Sequence, residues 1–185
     1  MYLIECNNIY NSRFIRLSMD KDLVGMLRQL RVIYREPIKL RSGKTADYYV
    51  DVKKAYGSPV VLDLISESLF AQMDERATCV AAAGYGGIPI ASVISHQHGL
   101  KLVLVRDKGK NHGRGGLIDG YVPTEWDKVE IIDDVLSTGG SLRDTMKSLE
   151  PTGVEILGCH VVVKRGEADL GVPWDYLLTV KDLRR

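Results

Sequence analysis

Residues 129–141 read Val-Glu-Ile-Ile-Asp-Asp-Val-Leu-Ser-Thr-Gly-Gly-Ser, and no other stretch constrains the fold as strongly. Val129 to Ile132 form the mostly apolar run of a buried strand. Asp133 and Asp134 follow at its end, and then, after Val135 and Leu136, the hydroxyl and glycine run Ser137-Thr138-Gly139-Gly140-Ser141. Beyond it, Leu142, Met146 and Leu149 recur at helical spacing. A strand that passes to a helix through a glycine-rich turn is a building unit of α/β domains. Such a turn suits an anion, because glycine lets backbone N–H groups approach a phosphate closely and the helix N-terminus adds a favourable dipole. The two acids would repel that phosphate. They make sense if they hold sugar hydroxyls or a metal while the turn beyond them holds the phosphate, an arrangement suited to a sugar phosphate.

The same strand–turn–helix alternation runs through most of the chain. Asp20 is a helix-cap residue ahead of Leu23, Met26, Leu27 and Leu30, which recur at helical spacing. Residues 36–54 read as two short strands around a turn at Arg41-Ser42-Gly43-Lys44. Ser58 fits the cap and Pro59 the first position of a helix reaching about Met73, with Leu62, Ile65 and Leu69 inward. Cys79 to Ala83 is a strand, Gly84-Tyr85-Gly86-Gly87 a turn, and Ile88 to His98 a helix. Further strands are expected at Leu102–Val105, Leu117–Val122, Val154–Val163 and Tyr176–Val180, with a polar, glycine-rich and basic loop over 107–117. This order predicts one α/β domain over 1–185 with a mainly parallel sheet. Both glycine-rich turns follow a strand and precede a helix, so they can face one pocket at the carboxyl ends of the strands. Residues 1–18 lack clean periodicity; one reading makes Met19 the native start and the residues before it, within 1–19, an extension.

Charge and composition remove several function classes. Twenty-five basic and 24 acidic side chains leave a net charge of +1, which gives no basic field for nucleic acid. No apolar run approaches the roughly 18–20 residues of a membrane span, and the N-terminus lacks the pattern of a signal peptide. Cys6, Cys79 and Cys159 form no CxxC pair, so they read as thiols of a reducing cytoplasm, the last two buried in strands. His96, His98 and His160 have no zinc-ligand spacing with them. Trp126 and Trp174 read as packing or loop anchors.

The stretch 129–141 resembles the signature of the type I phosphoribosyltransferases, which bind phosphoribosyl diphosphate (PRPP). Four further segments, in order along 20–180, resemble the orotate phosphoribosyltransferases within that family. Gly84-Tyr85-Gly86-Gly87-Ile88-Pro89 resembles their diphosphate-contacting loop, with the Gly-Ile-Pro ending present and Gly86 where some members carry lysine. Arg106-Asp107-Lys108-Gly109-Lys110-Asn111-His112-Gly113 resembles their mobile catalytic loop, which has a Lys-x-His-Gly core; Asp107 stands where a second basic residue is common. Leu40 to Asp51 resembles a substrate-binding segment in which Ser42, Gly43 and Tyr48 match and Arg41 replaces a lysine. Val161 to Glu167 resembles a strand ending in Asp-Arg-x-Glu, with Arg165 and Glu167 matching and Lys164 in place of the acid.

The resemblance implies a central sheet flanked by helices with a small hood from the N-terminal segment. It also implies transfer of phosphoribosyl from PRPP to orotate in pyrimidine synthesis. Asp133 and Asp134 would hold the ribose hydroxyls, and Val135 to Ser141 the 5′-phosphate. Gly84, Tyr85, Gly86, Arg106 and Lys108 would contact PRPP, and Lys110 and His112 would close over the departing diphosphate. Arg41, Tyr49, Ser137 and Arg165 would bind orotate, the arginine through its carboxylate. Mg²⁺ would sit on substrate oxygens, with Asp133 or Asp134 reached through water. A homodimer in which loop 107–117 serves the neighbouring site is also implied. A purine or other base transferase, or a PRPP-sensing regulator without catalysis, remains open at this point.

Overall fold

The computed structural model describes residues 23–34, 48–106 and 117–184, together with the backbone of 38–39 and 45–46. Among the described residues the central sheet has six strands. These are β5 (Cys79–Ala83), β6 (Lys101–Val105), β7 (Ile118–Gly120), β8 (Lys128–Leu136), β9 (Glu155–Lys164) and β10 (Trp174–Thr179). They lie in the order β10-β9-β8-β5-β6-β7, and every pair is parallel except β6 with β7. The chain steps from β5 to β6 on one side, then returns through β8 to β9 and β10 on the other. The switch point therefore falls between β5 and β8.

Both faces of the sheet are covered, as a mainly parallel sheet requires. On one face lie α1 (helical over residues 23–29), α2 (Pro59–Phe70), α3 (Gly84–His98) and α5 (Val180–Arg184). Their Leu23, Leu27, Ile65, Leu69, Ile90, Ile94 and Leu183 pack on Val80, Ala82, Ile132 and Val162 of the strands. On the other face α4 (Gly140–Leu149) buries Leu142 and Leu149 against Cys79, Ala81, Ile131, Cys159 and Val161. Alternate residues of β5 thus enter opposite cores, and each large aliphatic side chain so buried contributes roughly 1.5–3 kcal/mol.

Short antiparallel pairs precede the sheet and form the N-terminal hood. β1 (Ile33–Tyr34) pairs with β4 (Tyr49–Val50), and β2 (Ile38–Lys39) with β3 (Thr45–Ala46). A 3₁₀ turn over Val52–Gly57 follows β4 and drops Val52 and Ala55 into the core.

The strands and helices expected from the sequence are present, with some differences. Pro59 opens α2, but Ser58 makes no side-chain capping bond, and the helix stops at Phe70 rather than near Met73. Cys79 and Cys159 are buried free thiols, while Cys6 lies outside the described residues. Trp174 is anchored by its indole N–H, which donates to Ala168 O at 3.1 Å. Trp126 is no packing anchor: it is 82% exposed in the turn before β8. Its neighbour Asp127 does the anchoring there, accepting bonds from Thr78, Lys101, Tyr121 and Thr124.

Candidate active site

Two helix N-termini meet the sheet at its switch point. Helix α3 leaves the end of β5 directly, and α4 starts four residues beyond β8. Neither N-cap residue, Ala83 or Gly139, makes a side-chain capping bond. The first-turn amides of both helices are thus left without a capping side chain, the arrangement that favours an anion. Residues 84–87 were expected to be a turn ahead of the helix; they are the first turn of the helix itself.

Close approach explains the glycines there. A Cβ on Gly87 would lie 2.3 Å from Ile132 O and 3.0 Å from Ala82 Cβ, so α3 rests on the strands only because no side chain intervenes. A Cβ on Gly86 would lie 2.5 Å from Asp134 Oδ1. The start of α3 and the second acid of β8 therefore touch.

The acids do not terminate β8, as the sequence had suggested. Pairing with β5 ends at Ala82↔Ile132, but pairing with β9 continues to Leu136↔Lys164. Asp133 and Asp134 thus stand where β8 has lost its β5 neighbour and keeps its β9 neighbour. The amide of Asp134 donates to Asp133 Oδ1 at 2.9 Å. Burial, and then the adjacent Asp134 charge, hold the Asp133 carboxyl well above the usual carboxylate range.

One cation against this pair was not foreseen. Lys53 Nζ lies 3.4 Å from Asp134 Oδ2 and 2.9 Å from Asp51 Oδ1. In the same 3₁₀ turn, the Tyr56 hydroxyl donates to Gly86 O at 2.5 Å. Burial, together with the carboxylates of Asp134, Asp133 and Asp51, pushes that phenol upward.

The loop 137–141 is fixed from β9. The amides of Arg165 and Gly166 both donate to Leu136 O, at 2.8 and 3.2 Å. A Cβ on Gly166 would lie 2.1 Å from Ser137 O, so the two loops are in backbone contact. Gly139 has φ +74°, and its Cα hydrogen faces Ala168 and Leu170. The Arg143 guanidinium donates to Asp169 O at 3.1 Å and to Thr138 O. Thr138, Gly140 and Ser141 remain exposed.

The other expected site residues divide into three groups. Arg165 is at the end of β9, with its guanidinium carbon 5.0 Å from the centre of the Tyr48 ring, which also carries Arg184 at 3.8 Å. Tyr49 turns elsewhere, its ring 6.4 Å from that of Tyr34 and 5.8 Å from Lys53 Nζ. Arg106 is engaged in a two-pronged ion pair with Asp119 beside β7, at 2.5 and 2.7 Å. Tyr85 is 87% exposed in the first turn of α3. Arg41, Lys108, Lys110 and His112 lie outside the described residues.

No group of three or more acids, histidines or cysteines among the described residues forms a metal cage. Asp133 and Asp134 nevertheless fit a hard divalent cation that keeps its waters and takes most of its ligands from a bound phosphate ester.

Residues 60–177 match the phosphoribosyl transferase domain. The chain is 36% identical over 168 residues to the orotate phosphoribosyltransferase of Methanopyrus kandleri, a match covering 88% of this chain and 90% of that one. It is 39% identical over 158 residues to the orotate phosphoribosyltransferase of Thermococcus gammatolerans, covering 83% and 82%. The crystal structure of Mycobacterium tuberculosis orotate phosphoribosyltransferase in complex with PRPP shares the fold with a TM-score of 0.69 at 26% identity, covering 89% of this chain and 98% of that one. With matches spanning this much of both partners, and the glycine-rich helix starts and acidic strand where the fold brings them together, the chain belongs to the phosphoribosyltransferase family, alongside its orotate phosphoribosyltransferases.

Proposed function

We propose that this protein transfers the phosphoribosyl group of PRPP to orotate, giving orotidine 5′-phosphate and diphosphate. The observation that carries the reading is the convergence, at one switch point, of the Asp133–Asp134 pair, the loop 137–141, the first turn of α3 and the Arg165 end of β9. The relatives named above are orotate enzymes, which supports the same base.

In this reading the amides and hydroxyls of Ser137 to Ser141 hold the 5′-phosphate. Asp133 and Asp134 hold the ribose hydroxyls and stabilise positive charge that develops as the anomeric bond loosens. A ring nitrogen of orotate gives up its proton and takes the place of diphosphate at the anomeric carbon, while diphosphate leaves with the bonding electron pair and can carry that proton away. The first-turn amides of α3, with Lys108, Lys110 and His112, receive that charge. Arg165 grips the orotate carboxylate, helped by Arg41. Mg²⁺ would be held by the substrate and, through water, by Asp133 or Asp134, and would supply charge neutralisation for the departing diphosphate. The protein works as a homodimer whose loop 107–117 serves the neighbouring site, in the cytoplasm; no described helix is long and apolar enough to cross a membrane.

The test is loss of orotate ultraviolet absorbance with PRPP and Mg²⁺, with adenine, guanine, hypoxanthine and uracil in parallel. Consumption of orotate alone, dependent on PRPP and metal, is expected. Arg165→Ala should raise the orotate KM by roughly tenfold or more, the loss expected for a charged hydrogen bond worth about 1.5–3 kcal/mol. Turnover of a purine instead of orotate, or PRPP binding with no turnover of any base, rejects the assignment.

A further inference from the structure

The 3₁₀ turn over Val52–Gly57 touches both halves of the pocket. Val52 and Ala55 anchor it in the core, each with no exposed surface. Lys53 and Tyr56 point instead toward the site. Tyr56 donates to Gly86 O at the start of α3, and Lys53 reaches the acid on β8. Between them lies the Asp134 carboxylate, filling the space that any side chain on Gly86 would occupy, with its Oδ1 only 2.5 Å from that Cβ position.

A carboxylate in that place needs a partner. Asp133 and Asp134 are adjacent like charges, and Asp51 adds a third within reach of the same ammonium. The Asp51 Oδ1 atom is buried and makes no aligned hydrogen bond, so its 2.9 Å contact with Lys53 is an ion pair only. A lysine suits this position, because a compact charge on a flexible stem can lie between two carboxylates. The Lys53 side chain is itself only partly exposed, and its ammonium contacts both carboxylates.

We infer that Lys53 is a positioning residue for the acidic pair: from the N-terminal segment it turns the Asp134 carboxylate over Gly86, toward the ribose hydroxyls of PRPP. The inference rests on the proposed function for its substrate. It gives the glycine at 86 a reason. With the carboxylate lying over the start of α3, a side chain at that position would have to displace it, and the nearby cation comes from residue 53 instead. It also makes the hood and the acidic strand one device, since Lys53 and Tyr56 bind the two sides of the pocket from one turn.

The test compares Lys53→Gln and Lys53→Arg with the wild type by steady-state kinetics, by calorimetric titration with PRPP and Mg²⁺, and by thermal melting. Partners that orient a binding group are worth roughly ten- to a hundredfold. Lys53→Gln is therefore expected to raise both the KM and the calorimetric Kd for PRPP by about tenfold or more and to lower kcat with them, with the orotate KM within about threefold. Lys53→Arg, which keeps the charge, should recover most of the PRPP affinity. PRPP affinity unchanged in Lys53→Gln, or melting that falls while affinity holds, overturns the inference and leaves Lys53 a fold contact. If the wild type binds PRPP but consumes no orotate, the proposed function fails while the calorimetric comparison still decides Lys53.

Discussion

Gly87→Ala is the sharpest test of how the pocket is assembled. The added methyl would sit 2.3 Å from the carbonyl oxygen of Ile132 and 3.0 Å from Ala82 Cβ. Close carbon–oxygen contacts in proteins lie at about 3.3 Å or more, so α3 and β8 must part by roughly 1 Å. The obstructing atom is backbone in a paired strand and cannot rotate away. Forcing an extra methyl into such a contact costs about 1–3 kcal/mol, and a domain of this size loses about 2–4 °C of melting temperature per kcal/mol. A drop of about 2–12 °C is expected. The same shift moves the first turn of α3 relative to Asp133 and Asp134, and a misplacement of about 1 Å at a reacting centre costs on the order of a hundredfold in rate. Differential scanning calorimetry and the orotate absorbance assay read the two effects. Gly57→Ala serves as the control, because its methyl would meet nothing within 4 Å. A Gly87→Ala protein that melts with the wild type and keeps its kcat/KM would refute the claim that this contact sets the pocket.

Two further predictions concern charge. In Asp127, burial pushes the carboxyl up, but bonds from Lys101, the Thr124 amide, Tyr121 and Thr78 outweigh it and hold the group well below the usual range. Its folded-state value is depressed, so this stability is fully present above the unfolded value of about 3.9 and is lost as pH falls below it. Asp127→Asn should cost about 1–3 kcal/mol at pH 7, and its gap to the wild type should narrow toward pH 3 in urea titrations; a gap that stays constant with pH counts against the bonds proposed. Asp133 has the opposite sign: its raised carboxyl makes ionisation costly in the folded chain, a cost present at neutral pH and gone once the group is protonated in both states. Asp133→Asn should therefore stabilise the ligand-free protein by on the order of 0.5–2 kcal/mol at pH 8 and by nothing near pH 3, while PRPP-dependent turnover collapses. Identical melting of the two proteins at pH 8 would contradict the assigned burial.

Sequence periodicity sufficed for the layers because the strands are short apolar runs and the helices carry a clear inner face, as with Ile65 and Leu69 or Leu142 and Leu149. The acidic pair and loop 137–141 were legible for the same reason that they are local. What was missed depends on partners distant in the chain. β8 extends through Asp133 to Leu136 because β9 pairs with it there, and the local run of two acids and a valine reads as a strand end. The helix begins already at Gly84, and its Gly86 and Gly87 lie against Asp134 and Ile132, whereas four residues containing three glycines read locally as a turn. Lys53 meets an acid 81 residues away, and nothing in Val-Asp-Val-Lys-Lys marks which lysine turns inward. The polar network on Asp127 likewise joins strand starts that only the sheet brings together.

The lock between Leu136–Ser137 and Arg165–Gly166 has a consequence for selectivity. Main-chain bonds and a side-chain-free contact join these two segments. In the proposed assignment one segment grips the phosphate end of the nucleotide and the other grips the base. The pocket then behaves as a caliper whose opening is set by the backbone. A molecule is measured by its length as well as its functional groups, since both jaws close only on a ligand of one span. Substitutions at the tips can change which groups are gripped, but they leave the gap between the jaws as the sheet made it.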